Sequence, residues 1–248
     1  MKKLILSAAV LAMVFVGCKK EDTKPSDSST SSSSSSSTPK ISKETTYSYN
    51  DSIITDTSIT LYTYDSKGRL VSRINDYYSI TYSYVSANLI STTVSEKSNG
   101  SVPNYTLNYL LDSKGKAIKS YQIGKTDTIQ INYSTDGYSL GSSSSNSQFE
   151  VVGENIVKSN YFNYEYYLDK INVLSNANRG IYFMGKDSKN LVKSQKWVAV
   201  GSNPMSSTTQ YTYEFDSKNR VIKSTRNTVT TNGLSGAGKW ITKYEYIN

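Results

Sequence analysis

Two patterns of apolar and polar residues divide this chain of 248 residues. Residues 4–16 form an almost unbroken apolar run, interrupted by Ser7 and preceded by Lys2 and Lys3. From Ile41 onward, aromatic or aliphatic residues alternate with small polar ones, as in Tyr62-Thr63-Tyr64 and Tyr211-Thr212-Tyr213. A period of two places one aromatic face and one Ser/Thr face on a strand. Helical periodicity is absent over any window of useful length. The alternation predicts strands from near Thr45 to near Trp240.

The alternation recurs as a unit. Residues 61–74 read Leu-Tyr-Thr-Tyr-Asp-Ser-Lys-Gly-Arg-Leu-Val-Ser-Arg-Ile, and residues 107–120 and 211–225 repeat that layout. Residues 185–194 keep the turn and the strand after it. Weaker copies cover 82–94, 131–140, 151–160 and 161–174. In each unit Asp suits the first position of a type I turn. Gly68, Gly115, Asn190 or Asn219 then supplies the left-handed residue that rejoins the strands. Each unit is therefore a β-hairpin. Hairpins in series, with an opening and a closing strand, give about sixteen strands. Laid flat at about 4.8 Å per strand, such a sheet would be about 75 Å wide, and open sheets of that size curl, split or close. The expected fold is all-β: an up-and-down antiparallel meander, strongly curved or closed into a barrel-like sheet.

The first forty residues differ in kind from this core. Lys2-Lys3 with the apolar run reads as a signal peptide over residues 1–17, too short for a comfortable membrane-spanning helix. Phe15-Val16-Gly17-Cys18 resembles the lipobox of bacterial lipoproteins, with Gly17 as the small residue before the lipidated cysteine. Cys18 is the sole cysteine, so no disulfide can form within the chain. Residues 18–40 are rich in serine, with Ser31 to Ser37 unbroken, and have nothing apolar to bury. Such a segment is a tether, and about 22 residues of coil span roughly 25 Å. Lys20-Glu21-Asp22 resembles the surface-export signal of Bacteroidota-type lipoproteins. Residues 41–248 are then one domain.

The repeat carries a resemblance of its own. Tyr62-x-Tyr64-Asp65-x-x-Gly68-Arg69-Leu70 is similar to the YD repeat of Rhs-type and teneurin-like proteins, which build β-sheet shells. The other copies depart from it: Asp112 follows Leu111, and Asn219 stands in place of Gly. The lipobox, tether and hairpin domain together resemble an uncharacterised family of Bacteroidota-type surface lipoproteins described as having a porin-like fold. That resemblance implies a fold and an outer-membrane address, and no chemistry.

Composition narrows the function further. The chain has no histidine, which removes the usual general base and the commonest metal ligand. No metal site or cofactor is expected, and no catalytic residue. Ser113 and Lys116 have serine–lysine dyad spacing but fall in a turn, and Gly124-Lys125-Thr126 lacks the leading glycine of a phosphate loop. Glu150 with Glu154, and Glu165 with Asp169, are carboxylate pairs that would need a cleft between them. One acid per Asp-Ser-Lys-Gly turn is too few for calcium. The formal charge of +8 is spread as single lysines, which argues against nucleic acid. Tyr-Ser alternation does not suit strands buried in lipid. The expected partners are a membrane, through acyl chains on Cys18, and a glycan or another surface protein. A glycan would stack on Tyr62, Tyr64, Tyr82, Tyr84, Trp197, Tyr211, Tyr213 and Trp240. The reading is a non-enzymatic, membrane-anchored protein with a structural or binding role, with a glycan-binding module for nutrient capture as the alternative.

Overall fold

Three hairpins are closed by the same chemistry. The Asp65 carboxylate accepts the Lys67 and Arg69 amides, both at 2.9 Å, while the Gly68 amide returns to the Asp65 carbonyl. Gly68 sits at φ 71°, the left-handed region that costs a residue with a Cβ about 1–2 kcal/mol. Asp112 and Asp216 repeat these contacts with the amides two and four residues on, and Asn219 takes the left-handed position at φ 59°. These are type I turns with a left-handed fourth residue, as the spacing predicts. The Arg220 amide, followed by its guanidinium at 2.7 Å, holds the Asp216 carboxyl below the usual carboxylate range.

The computed structural model describes residues 39–97, 104–134, 136–141, 149–159, 161–198, 206–230 and 238–247, all within one unit spanning 38–248. The signal peptide, Cys18, the Lys20-Glu21-Asp22 motif and the serine run lie outside the described residues. The strands are β1 (Ile41–Asn50), β2 (Ile53–Tyr64), β3 (Leu70–Ile74), β4 (Tyr78–Ser86), β5 (Leu89–Glu96), β6 (Tyr105–Leu111), β7 (Ala117–Gln122) and β8 (Thr128–Gln130). They continue with β9 (Asn132–Tyr133), β10 (Ser139–Gly141), β11 (Phe149–Val152), β12 (Asn155–Ser159), β13 (Phe162–Ile171), β14 (Asn190–Val198), β15 (Ser206–Phe215), β16 (Val221–Thr230) and β17 (Gly238–Tyr246). All ladders between them are antiparallel. A single 3-10 turn, Tyr182–Met184, is the helical element among the described residues.

Fifteen strands share one sheet in the order β11-β12-β13-β14-β15-β16-β17-β1-β2-β3-β4-β5-β6-β7-β8, and β9 with β10 forms a separate hairpin. A simple meander would leave the chain's first and last strands as edges. Here β1 and β17 pair in the middle of the sheet, and the edges come from mid-chain. No ladder joins β8 to β11 among the described residues. The β9–β10 hairpin stands between them: Tyr133 donates to the Ala117 carbonyl of β7 at 2.6 Å, and Tyr138 donates to the Glu154 carbonyl before β12 at 2.8 Å.

The core is concentrated at one end of the sheet. Ile41, Leu70, Ile90, Ala117, Leu191 and Val221 are buried, and each is the first or second residue of its strand. Burying one such aliphatic side chain is worth about 1.5–3 kcal/mol. Tyrosines tie this end together. Tyr64, Tyr84, Tyr213 and Tyr246 donate to the carbonyls of Ile41, Leu70, Val192 and Val221 at 2.8–2.9 Å. Tyr166 donates to the Ile156 carbonyl at 2.6 Å. Each acceptor adjoins a one-residue register shift, where a bulge takes backbone groups out of the ladder. Basic side chains then cover the rings: Arg69 lies 4.0 Å over Tyr84 and Arg220 lies 4.7 Å over Tyr246. One unit's arginine thus clamps its own aspartate and stacks on the tyrosine of the following strand pair.

Two of the expected hairpins are not hairpins. The repeat predicts a folded-back unit over residues 161–174, but Phe162–Ile171 form one strand, β13, whose register against β14 shifts between Tyr167 and Ile171, and the chain then leaves the sheet. Asn190 does not take the left-handed position: it begins β14, buried, and exchanges hydrogen bonds of 2.9 Å with Asn155. Asn190 also donates to the Leu168 and Lys170 carbonyls, so its polar groups are satisfied in the interior.

Candidate functional site

The segment that leaves the sheet, residues 172–189, is a strap laid across one face. Its neck is closed by the Asn172 amide donating to the Lys189 carbonyl and by Asn172 Nδ2 donating to the Ser188 carbonyl. Its two halves are joined by Asp187, whose carboxylate accepts from the Asn176 amide and from Asn176 Nδ2. Burial pushes the Asp187 carboxyl up, against the pull of the Asn176 amide and Arg179. Asp187-Ser-Lys-Asn190 has the same sequence as Asp216-Ser-Lys-Asn219, yet its carboxylate serves the strap instead of its own turn. The difference lies four residues on, where Arg220 clamps Asp216 but Leu191 follows Asp187.

The strap is pinned to distant strands. Arg179 pairs with Glu44 of β1 at 2.8 Å, and Gly180 accepts the Leu70 amide of β3 at 3.3 Å. Gly180 has φ 75°, and a Cβ there would sit 2.7 Å from the Leu70 nitrogen, so this close approach needs glycine. Phe183 is buried among Ile90, Leu111 and Ala117, with Tyr109 at 5.3 Å and Tyr82 at 6.5 Å between ring centroids. The strap therefore reaches β1, β3, β5, β6 and β7 on one face, termed the inner face.

Between the strap, the β9–β10 hairpin and the β11–β12 turn lies a groove of about 420 Å³. Lys116, Lys186, Lys189, Asp187, Tyr138 and Tyr182 line it. An adjoining cavity of about 290 Å³ shares Tyr138, Glu154 and Lys186. Glu154 and Lys189 form an ion pair at its rim, which holds the Glu154 carboxyl below its ordinary value. Lys116 lies 5.5 Å over the Tyr133 ring and Lys186 lies 5.8 Å over Tyr138. The groove thus presents ammonium groups and the exposed Tyr182 ring, suited to holding a polar or anionic group.

The eight aromatics read from the sequence all fall on the inner face. Tyr62 is buried, and Tyr64, Tyr82 and Tyr84 pack against the strap's clusters. Tyr211, Tyr213, Trp240 and Trp197 follow on the same face by register, Tyr211 opposite Arg226 and Arg226 opposite Trp240. Arg226 stacks over Trp240 at 4.0 Å. The hydroxyls of Tyr64, Tyr84 and Tyr213 go to backbone carbonyls and that of Tyr211 goes to Gln195. These rings are brought to one face, where much of their polar capacity serves the sheet itself.

The carboxylate pairs are separated in role. Glu154 is held by Lys189, and Asp169 pairs with its neighbour Lys170 at 3.3 Å. Ser113 and Lys116 sit in the Asp112 turn, with Lys116 turned onto Tyr133. The groove residues Tyr138, Tyr182, Lys186 and Asp187 were not singled out from the sequence. The signal available was local: Ser175-Asn-Ala-Asn-Arg-Gly180 breaks the strand alternation with turn-forming residues.

No family model matches the sequence, and no curated protein matches it. In structure the chain is similar to a porin-like protein from Bacteroides uniformis, solved by crystallography. The TM-score is 0.49 and the identity 17%, over 84% of this chain and 96% of that one.

Proposed function

We propose that this chain is an outer-membrane lipoprotein, held by acyl chains on Cys18 and presented on the cell surface, with a non-enzymatic structural or binding role. The observation that carries this reading is the polarity of the outer face along β13, β15 and β17. Lys239, Lys243 and Glu245 alternate along β17, Gln210, Thr212 and Glu214 along β15, and Asn163 and Glu165 along β13, all exposed. A lysine facing lipid costs about 2–4 kcal/mol at mid-bilayer. These strands belong in water, so the domain needs a separate hold on the membrane, and the lipobox-like residues 15–18 offer one. A single acyl chain binds marginally, whereas two or more anchor stably.

The domain itself is read as a barrel-like shell. Chain-terminal strands that pair at mid-sheet, and a hairpin whose two tyrosines reach β7 and the β11–β12 turn, beside the two edges, support that shape. The strap then fills one end of it. Tyrosine hydroxyls bound to bulge carbonyls suit a rigid scaffold.

Fractionation of the expressing bacterium tests the anchor. After a high-salt wash the full-length protein is expected in the membrane fraction, and Cys18→Ser in the soluble fraction, since the sole acylation site is gone. Retention of Cys18→Ser in membranes after a high-salt wash overturns the reading.

A further inference from the structure

We propose that the core end of the sheet, where the chain enters the fold, docks on an anionic lipid surface through the lysines of the repeated turns. This rests on the anchoring proposed above, because the anchor is what brings a bilayer within reach.

The argument begins with register. Antiparallel pairing places the starts of β1, β3, β5, β7, β12, β14 and β16 at one end, together with the 65–69, 112–116 and 216–220 turns and the strap. Each repeated turn carries an exposed lysine at its third position: Lys67, Lys114 and Lys218. The aspartate of each turn is consumed internally by amides, and by Arg69 or Arg220 in two of them. The three lysines take part in none of the ion pairs among the described residues. Lys186 and Lys189 of the strap and Lys40 of the entering chain stand at the same end. The opposite end differs: its described turns carry Asp51, Asp76 and Asp127 against Lys97 and Lys125. Among the described turns, basic residues therefore outnumber acids at the end where the chain enters, and acids outnumber basic residues at the other.

The tether leaves from that same end. Lys40 Nζ donates to the Ala177 carbonyl on the strap at 3.2 Å, and the Ile247 amide donates to the Lys40 carbonyl at 2.9 Å. Residues running back from Lys40 toward Cys18 thus start beside the turn lysines. A coil of that length spans roughly 25 Å, so this end is the one an acyl anchor keeps near phosphate-bearing headgroups. Basic patches and acyl chains act together on anionic membranes.

The test removes the acyl chain so that the face is measured alone. The mature chain from residue 18 carrying Cys18→Ser is sedimented with vesicles of phosphatidylcholine, or of phosphatidylcholine with phosphatidylglycerol. Binding is expected to the second alone, and to weaken steeply at about 0.5 M salt. Lys67→Ala/Lys114→Ala/Lys218→Ala is expected to lower the partition coefficient by about a hundred-fold, at roughly five-fold per lysine. Lys125→Ala/Lys196→Ala/Lys239→Ala removes the same charge from elsewhere and is expected to leave binding within about two-fold. Equal loss from both triple variants, or no binding to anionic vesicles, overturns the proposal. So does displacement from vesicles by soluble polygalacturonate at equal charge, which would assign the face to an acidic glycan. Failure of the anchoring reading appears in the fractionation instead, since this measurement contains no acylated protein.

Discussion

Phe183→Ala is expected to destabilise the domain by about 3–5 kcal/mol, the cost of emptying a buried aromatic site. For a domain of this size that lowers Tm by roughly 6–20 °C. The size of the effect follows from where Phe183 sits. It is the largest fully buried side chain among the described residues, supplied by the strap and enclosed by β5, β6 and β7. The strap has little regular structure, so its position depends on this ring, on Gly180 against Leu70 and on Arg179 against Glu44. Leu168, 78% exposed on β13, provides the comparison: Leu168→Ala is expected within about 0.5 kcal/mol of wild type. Chemical denaturation of the two variants checks this, and a loss below about 1 kcal/mol for Phe183→Ala would mean that the strap does not share the core.

The second large effect concerns alkaline pH. Burial pushes the Tyr82 and Tyr166 hydroxyls up to about 12 from an ordinary 10.0, and pushes Tyr62, Tyr64, Tyr84, Tyr213 and Tyr246 up as well. A folded-state value raised above the unfolded one contributes stability that is fully present below pH 10 and is lost as pH rises through the folded value. Several of these hydroxyls are donors to backbone carbonyls, and a tyrosinate cannot donate. Ionisation therefore removes the bonds that join neighbouring strands. Absorbance at 295 nm is expected to show the buried tyrosines resisting ionisation at pH 10 and then ionising together in one steep step at higher pH, coincident with loss of the β signal in circular dichroism. A smooth titration of all tyrosines near pH 10 with the sheet intact would show that the hydroxyls are free.

What the sequence reveals depends on how local the cause is. The Asp65, Asp112 and Asp216 turns are legible because carboxylate, amides and left-handed residue lie within five positions. The alternation of Tyr62 and Tyr64 with Thr63 gives the face of each ring for the same reason. Pairing of β1 with β17 has no local signal, since it joins Thr46 to Thr242 across nearly the whole domain. The Asp187 turn misleads because its tetrapeptide is identical to that of Asp216, and its fate is decided by Asn176 on one side and Leu191 on the other. The strap is hidden in the same way. Phe183 and Arg179 look like loop residues until the strands that receive them are brought alongside. The groove follows from the strap, so its lysines could not be grouped from spacing alone.

Arg69, Tyr84 and Leu70 show why the repeat is written as it is. Arg69 neutralises Asp65 and covers Tyr84, Tyr84 donates to the Leu70 carbonyl, and Leu70 fills the core under the strap. Each unit supplies a contact that the next one completes. That interdependence accounts for a sheet built from weakly apolar strands, in which tyrosine provides area and a hydroxyl at once.

The proposed anchor is a lipid on the sulfur of Cys18. Mass spectrometry of the N-terminal peptide of the protein purified from its own membranes tests this most directly. The expected result is a mature chain that begins at Cys18 and carries a diacylglyceryl group on its sulfur. A mature chain that begins elsewhere, or that carries Cys18 as a free thiol, would contradict it.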